Sequence, residues 1–184
     1  MSAMPARPPL HLVRDGQEPH APATPLDAVY RAHARYVAGL ALKVLGRDSD
    51  VDDVVHDVFV AAAKGLDALR DVNAMRGWLG VVTVRVARRR LTARRVLSLF
   101  GLEPETDYGE LASPDAGPQQ RAMVTQLYQV LDTLPAGERL AWALRHIEGE
   151  QLEEVARLCD CSLATAKRRI AAAQRRIDRR LAHE

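Results

Sequence analysis

Aromatic residues make up only 4% of the 184-residue chain, cysteine occurs twice, and no run nears the roughly 18 consecutive apolar residues a membrane-spanning helix needs. Each scarcity excludes something. Four Tyr and two Phe scarcely supply the stacking platform of an RNA-binding adaptor. Cys159 and Cys161, two positions apart, cannot staple a fold, and leaving them as thiols suits a reducing compartment. The opening MSAMPARPPLHLVRDGQEPHAPATP has no apolar centre of the kind a signal peptide carries, so a cytoplasmic protein without membrane insertion is expected. Also missing are a Gly-rich phosphate loop and a nucleophile with an evident base, and the six histidines are scattered without ligand spacing. The stretch DSDVDD offers Asp48, Asp50 and Asp52 at calcium-loop spacing. However, Asp53 stands where such a loop needs Gly and Phe59 where it needs Glu. No catalytic residue, metal or cofactor is therefore expected.

What is abundant is Ala, Leu, Val and Arg, a composition for helices with aliphatic cores, and the expected class is all-α. The net charge of +2 conceals segregation by sign. DSDVDDVVHD (48–57) is acidic, RVARRRLTARR (85–95) is purely basic, 98–118 carries acids and no bases, and the C-terminus is basic again. Two Arg-rich runs on separate helices point to a polyanionic partner.

Residues 1–25 are rich in Pro and Ala without periodicity and are expected to be a disordered extension. Leu26, Val29, Tyr30, His33, Val37, Leu40, Ala41, Val44 and Leu45 then follow the i, i+3, i+4, i+7 rule of a helix that Gly46 ends, with His33 a core or boundary residue. A second helix begins near Ser49 or Asp50. It buries Val51, Val54, Val55, Val58, Phe59 and Ala62 and displays Asp52, Asp53, His56 and Asp57 on the other face. After a break at 70–73 a helical period resumes with Trp78, Leu79, Val82 and Val86 inward and Arg85, Arg88 and Arg89 outward, closing a helical domain over 26–97. Three glycines and three prolines in 98–118 mark a flexible linker, so two small domains are expected, the second over 119–184.

That second domain ends in a helix-turn-helix: Leu152 to Cys159, a turn through Asp160 and Cys161, and a long helix capped by Ser162. Leu163, Ala166, Ile170, Ala173, Ile177 and Leu181 share one side of the long helix. Thr165, Arg168, Ala172, Arg175, Arg176 and Arg179 share the other, an apolar back and a cationic front of the sort that enters a major groove. The two cysteines are read as structural thiols behind it, since nothing completes a four-ligand zinc site.

The run LDTLPAGERLAWALRHIEGEQLEEVARLCDCSLATAKRRIAAAQRRI resembles region 4 of bacterial sigma factors of the extracytoplasmic-function (ECF) group of the sigma-70 family. SDVDDVVHDVFVAAAKGL, followed by RGWLGVVTVRVARRRL, resembles their region 2. The resemblance implies two helical domains that bind core RNA polymerase (its beta and beta-prime subunits) and promoter DNA, and it implies an anti-sigma partner. It places polymerase docking on Asp52, Asp53, His56, Asp57 and Phe59, where His56 replaces the family's usual Gln. It places minus-10 recognition on Asn73, Met75, Arg76, Trp78, Arg85, Arg88 and Arg89, with Arg85 where Asn is common. It places minus-35 recognition on Ser162, Thr165, Lys167, Arg168, Arg169, Arg175 and Arg176, with Ala164 and Ala166 replacing the usual Gly and Val. The rival class is a stand-alone helix-turn-helix regulator whose first half senses or dimerises. The acidic helix and the Trp78–Leu79 pair favour the sigma reading.

Overall fold

A computed structural model of the chain describes residues 25–65, 74–102, 106 and 108–182. Among these residues there are helices and no strands. Apart from Pro25, the expected N-terminal extension lies outside the described residues, as do the break at 70–73 and Asn73.

Three helices build the first half. Helix α1 (Pro25–Leu45) stops at Gly46, whose φ of 70° is the left-handed geometry that ends helices. A 3-10 turn over Asp48–Asp50 leads into α2 (Val51–Gly65), with Asp52 and Asp53 in its first turn, where carboxylates favour the positive end of the helix dipole. Helix α3 (Met75–Leu99) runs for 25 residues, past the expected domain end. It is buried on much of its circumference because it lies between α1 and α2 on one side and the second half of the chain on the other.

The second half comprises α4 (Pro118–Asp132), α5 (Ala136–His146), α6 (Leu152–Leu158) and α7 (Leu163–Leu181). Pro135 enforces the break between α4 and α5, and Gly149, at φ 77°, follows α5. Asp160 takes the αL conformation, φ 50°, in the turn between α6 and α7; a short polar side chain tolerates that geometry better than most. The indole N–H of Trp142 on α5 donates to Gln174 on α7 at 2.7 Å, fixing the long helix against its support.

The two halves share one hydrophobic core. Val37, Val44, Val54 and Leu79 from the first half pack with Leu140, Leu144, Val155 and Leu158 from the second. A smaller cluster, including Tyr108, Tyr128, Leu131, Trp142 and Ile177, lies within the second half. The linker departs from the expectation of a free tether: a 3-10 turn at Tyr108–Leu111 packs on α4, and Tyr108 is only 3% exposed. An aromatic side chain among acids has no better refuge from water than this apolar ledge.

Gly46 is a point of close approach between the halves. A Cβ there would stand 2.3 Å from Tyr128 Cδ1, and the positive φ penalises any L side chain. Gly46→Ala should cost about 2 kcal/mol or more of unfolding free energy, the sum of backbone strain and overpacking, read as a lower urea midpoint at unchanged slope.

Candidate nucleic-acid interface and docking face

The first candidate face lies on α2. Asp52, Asp53 and His56 are exposed and Asp57 half-buried, while Phe59 is core-facing at 6% exposure with its ring edge against Tyr30, centroids 4.8 Å apart. Beside the acids runs an apolar groove of about 570 Å³ between α1 and α2, floored by Val55 and Phe59 and walled by Tyr30 and Val60. Tyr30 and Val60 are more than 40% exposed, so the face offers an apolar slot edged by Asp27, Asp52 and His56, with Lys64 among its lining and Asp53 and Asp57 beside it. Arg90 of α3 reaches the last two, placing its two guanidinium nitrogens on Asp53 (3.0 Å) and Asp57 (3.2 Å). Partial burial works against the charge of Arg90, but the two carboxylates outweigh it and hold the group above the usual arginine range.

The basic run of α3 is divided among several directions. Arg94 pairs with Asp50 and donates to the Leu45 carbonyl at 3.1 Å; burial, with Arg47 and Arg139 nearby, lowers it to about 10. Arg85 faces Asp160 in the turn of the helix-turn-helix at 3.7 Å, and Arg88 donates to the Cys159 carbonyl at 3.3 Å. Arg89 and Arg95 are exposed. Of the remaining residues expected at minus-10, Arg76 lies over the Tyr36 ring, 4.5 Å from its centroid, and Trp78 is half-buried against Gly65. Met75 is 4% exposed in the core, because the first turn of α3 faces inward, and it supports the bundle rather than an outer surface.

The second candidate face is the front of α7. Ser162 caps the helix by accepting the Thr165 backbone N–H at 3.2 Å, and the two hydroxyls are 3.0 Å apart. Lys167, Arg168 and Arg175 point to solvent. Arg169 is half-buried beside Gly137 and serves the packing of α7 on α5, while Arg176 is exposed and pairs with Glu138 at 3.3 Å. The side chains expected at minus-35 therefore divide into an exposed set and a supporting set.

Cys159 is 2% exposed, and burial, with Cys161 adding to it, pushes its thiol up to about 11. Such a thiol carries almost no thiolate at neutral pH. Cys161 is partly buried. Among the described residues no cluster of His, Cys, Asp or Glu could hold a metal ion, and no helix is long and apolar enough to cross a membrane.

Residues that sequence reasoning passed over close the seam between the halves. Arg139, 1% exposed, donates to the carbonyls of Val44 (3.0 Å) and Leu45 (2.6 Å) and pairs with Asp132. The Tyr128 hydroxyl donates to the Lys43 carbonyl at 2.9 Å, and burial raises that phenol to about 12, which keeps the proton in place. Lys43 and Glu148 pair at 3.0 Å, and Arg157 donates to the Gly77 carbonyl at 3.1 Å. The available signal was Tyr108, an aromatic side chain in an acidic linker of a chain with so few aromatics.

Comparison with known proteins accords with this geometry. The Sigma-70 region 2 family profile matches residues 29–96, and the Sigma-70, region 4 profile matches residues 125–177. The ECF RNA polymerase sigma-E factor of Escherichia coli (strain K12) is 31% identical over 141 residues, 72% of this chain and 74% of that protein. The protein of the same description from Haemophilus influenzae is 28% identical over 154 residues, 79% of this chain and 81% of the relative. Among solved structures, the fold is similar to the sigma factor RpoE in complex with the anti-sigma factor NepR from Bartonella quintana. That match has a TM-score of 0.58 and 19% identity and covers 83% of this chain and 94% of that one. It is also similar to CnrH in complex with the cytosolic domain of CnrY, with a TM-score of 0.56, 24% identity and coverage of 86% and 88%.

Two measurements check this geometry. Ser162→Ala should cost about 1 kcal/mol of stability through loss of the cap, read by urea unfolding. Brief alkylation at neutral pH followed by mass spectrometry should modify Cys161 and leave Cys159 unmodified until the protein is unfolded.

Proposed function

The chain belongs to the ECF group of the sigma-70 family, and we propose that its roles divide between the two faces described. As a member it binds core RNA polymerase and directs promoter-specific initiation of transcription, which is not an enzyme class. On the proposed division, region 2 covers 26–97 and docks on polymerase through Asp52, Asp53, His56, Asp57 and the groove beside them. An apolar slot with acids at its edge suits a basic protein surface carrying an apolar anchor, and repels DNA. Region 4 covers 119–184 and presents Lys167, Arg168 and Arg175 to the minus-35 element, with Ser162 and Thr165 at the helix N-terminus nearest the base edges. The α3 positions Arg85, Arg88 and Arg89, with Arg76, Trp78 and Asn73 before them, meet the minus-10 element.

The observation that carries this reading is the coexistence, in one chain, of the acidic α2 face and the Ser162-capped cationic α7. A cytoplasmic site of action and the absence of catalysis follow from the role. A sigma factor of similar fold is seen in complex with an anti-sigma factor, which supports an anti-sigma partner for this chain too. In the arrangement described, Arg85 and Arg88 are engaged by the turn that precedes α7, so minus-10 contact requires the seam to part.

Run-off transcription with purified core polymerase on a genomic fragment library, with and without this protein, tests the function as a whole. New discrete transcripts should appear only with the protein present. Asp53→Lys with Asp57→Lys should abolish co-purification with core polymerase while helical content stays unchanged; normal co-purification would remove the docking role. Arg168→Ala should weaken minus-35 binding by about 1–3 kcal/mol if the residue reads a base, or flatten the salt dependence if it holds phosphate.

A further inference from the structure

Tyr108 occupies an unusual place for a linker residue. Its ring stacks on Tyr128 with centroids 5.5 Å apart and planes within 15°, and its hydroxyl hydrogen-bonds the Asp132 carboxylate. Burial, then the Asp132 carboxylate, raise this phenol above its ordinary range against the pull of Arg47, so it keeps its proton and donates. Asp132 also pairs with Arg139, and Arg139 in turn holds the carbonyls of Val44 and Leu45 at the end of α1. Tyr128, under the Tyr108 ring, holds the Lys43 carbonyl. Two of the side chains that fasten the second half to α1, Tyr128 and Arg139, are therefore backed by one residue of the linker.

The same contact sets the reach of the tether. Leu99, at the end of α3, and Tyr108 are nine residues apart, at most about 30 Å of chain. With Tyr108 docked on α4, that is all the chain that can pay out between the halves. With Tyr108 released, the span from Leu99 to Pro118 is 19 residues, at most about 65 Å of chain.

We propose that Tyr108 is the release point of the interdomain seam, a positioning residue that acts through Asp132 and Tyr128 on the contacts holding the second half against α1. While it is docked, the linker is short, the seam is closed, and Arg85 and Arg88 stay against Cys159 and Asp160. When it is withdrawn, Asp132 loses a donor, Arg139 loses the packing behind its partner, and the tether doubles in length. The linker is thus a handle: whatever draws it off α4 opens the protein and frees the α3 cations together. This inference rests on the reading of α3 as a DNA-binding surface.

The test uses the full chain as Tyr108→Ala, Tyr108→Phe and Arg139→Met. Radius of gyration is read by solution X-ray scattering, and affinity by titration with a mixed-sequence single-stranded DNA 20-mer without polymerase. Tyr108→Ala should expand the protein by several ångströms and tighten DNA binding by at least about fivefold, because the competent open state no longer competes with a favoured closed one. Tyr108→Phe keeps the stacked ring, loses only the bond to Asp132, and should fall between wild type and Tyr108→Ala in both readouts. A Tyr108→Ala protein as compact as wild type, beside an expanded Arg139→Met protein, would overturn the proposal, since the seam would then open without reference to the linker. Compactness of all three would overturn it too. Expansion of Tyr108→Ala with unchanged DNA affinity supports the release point and counts instead against the DNA-binding role of α3.

Discussion

The last turn of α1 is the constraint on which the rest of the arrangement depends. A helix end leaves four carbonyls without intrahelical partners, and here Gly46 turns the chain away at once. The Gly46 N–H satisfies Leu42, but the carbonyls of Lys43, Val44 and Leu45 point at the second half of the chain. Burying them unpaired would cost a few kcal/mol each, so the close packing of the halves is possible only because Tyr128, Arg139 and Arg94 reach them. A guanidinium at 1% exposure itself requires neutralisation, which Asp132 provides and Tyr108 supports. From three carbonyls the requirement thus propagates to an arginine, a carboxylate and a linker tyrosine.

The segregation of charge along the sequence takes on a more specific meaning in three dimensions. Net charge says little when cations and anions nearly balance, but the positions of the unneutralised groups do matter. Within 85–95, Arg85, Arg88, Arg90 and Arg94 have partners inside the molecule. The exposed Arg89 and Arg95 are left facing out, together with Lys167, Arg168 and Arg175 on α7. The partnered arginines are not equivalent. Arg94 is held by a nearly buried pair, while Arg85 and Asp160 face each other at 3.7 Å with both side chains more than 60% exposed, a contact worth little in water. The seam is therefore firm around α1, where Arg139 and Tyr128 are buried, and soft at Arg85 of α3.

Helices, caps and the helix-turn-helix were legible in the sequence because their causes are local. The i, i+3, i+4 pattern of α1, the Gly46 stop, the Asp-rich start of α2 and the Ser162 cap each lie within a few residues of the element they define. The seam was not legible, because it joins residues some 95 positions apart through polar side chains that have no period to betray them. Arg139 reads as one more surface charge in AGERLAWALRH until α1 is placed against it. Met75 and Arg169 show the complementary failure. A family resemblance assigns positions, but whether a side chain faces out depends on rotation about the helix axis, and at the first turn of α3 and beside Gly137 that rotation turns them inward.

The closed arrangement and promoter contact draw on the same groups, and that fixes the sign of their coupling. On the proposed roles, Arg85 and Arg88 meet DNA by giving up Asp160 and Cys159, so closure and minus-10 binding compete at those residues. Linkage then requires that DNA oppose closure by the same factor by which closure opposes DNA. The α2 face is different: the groove lies between α1 and α2 and its lining includes no residue of α5 or α6, so the proposed docking face is open in the closed molecule. On the proposed roles, docking through α2 is open to the closed molecule, while minus-10 contact must first displace Asp160 and Cys159 from Arg85 and Arg88.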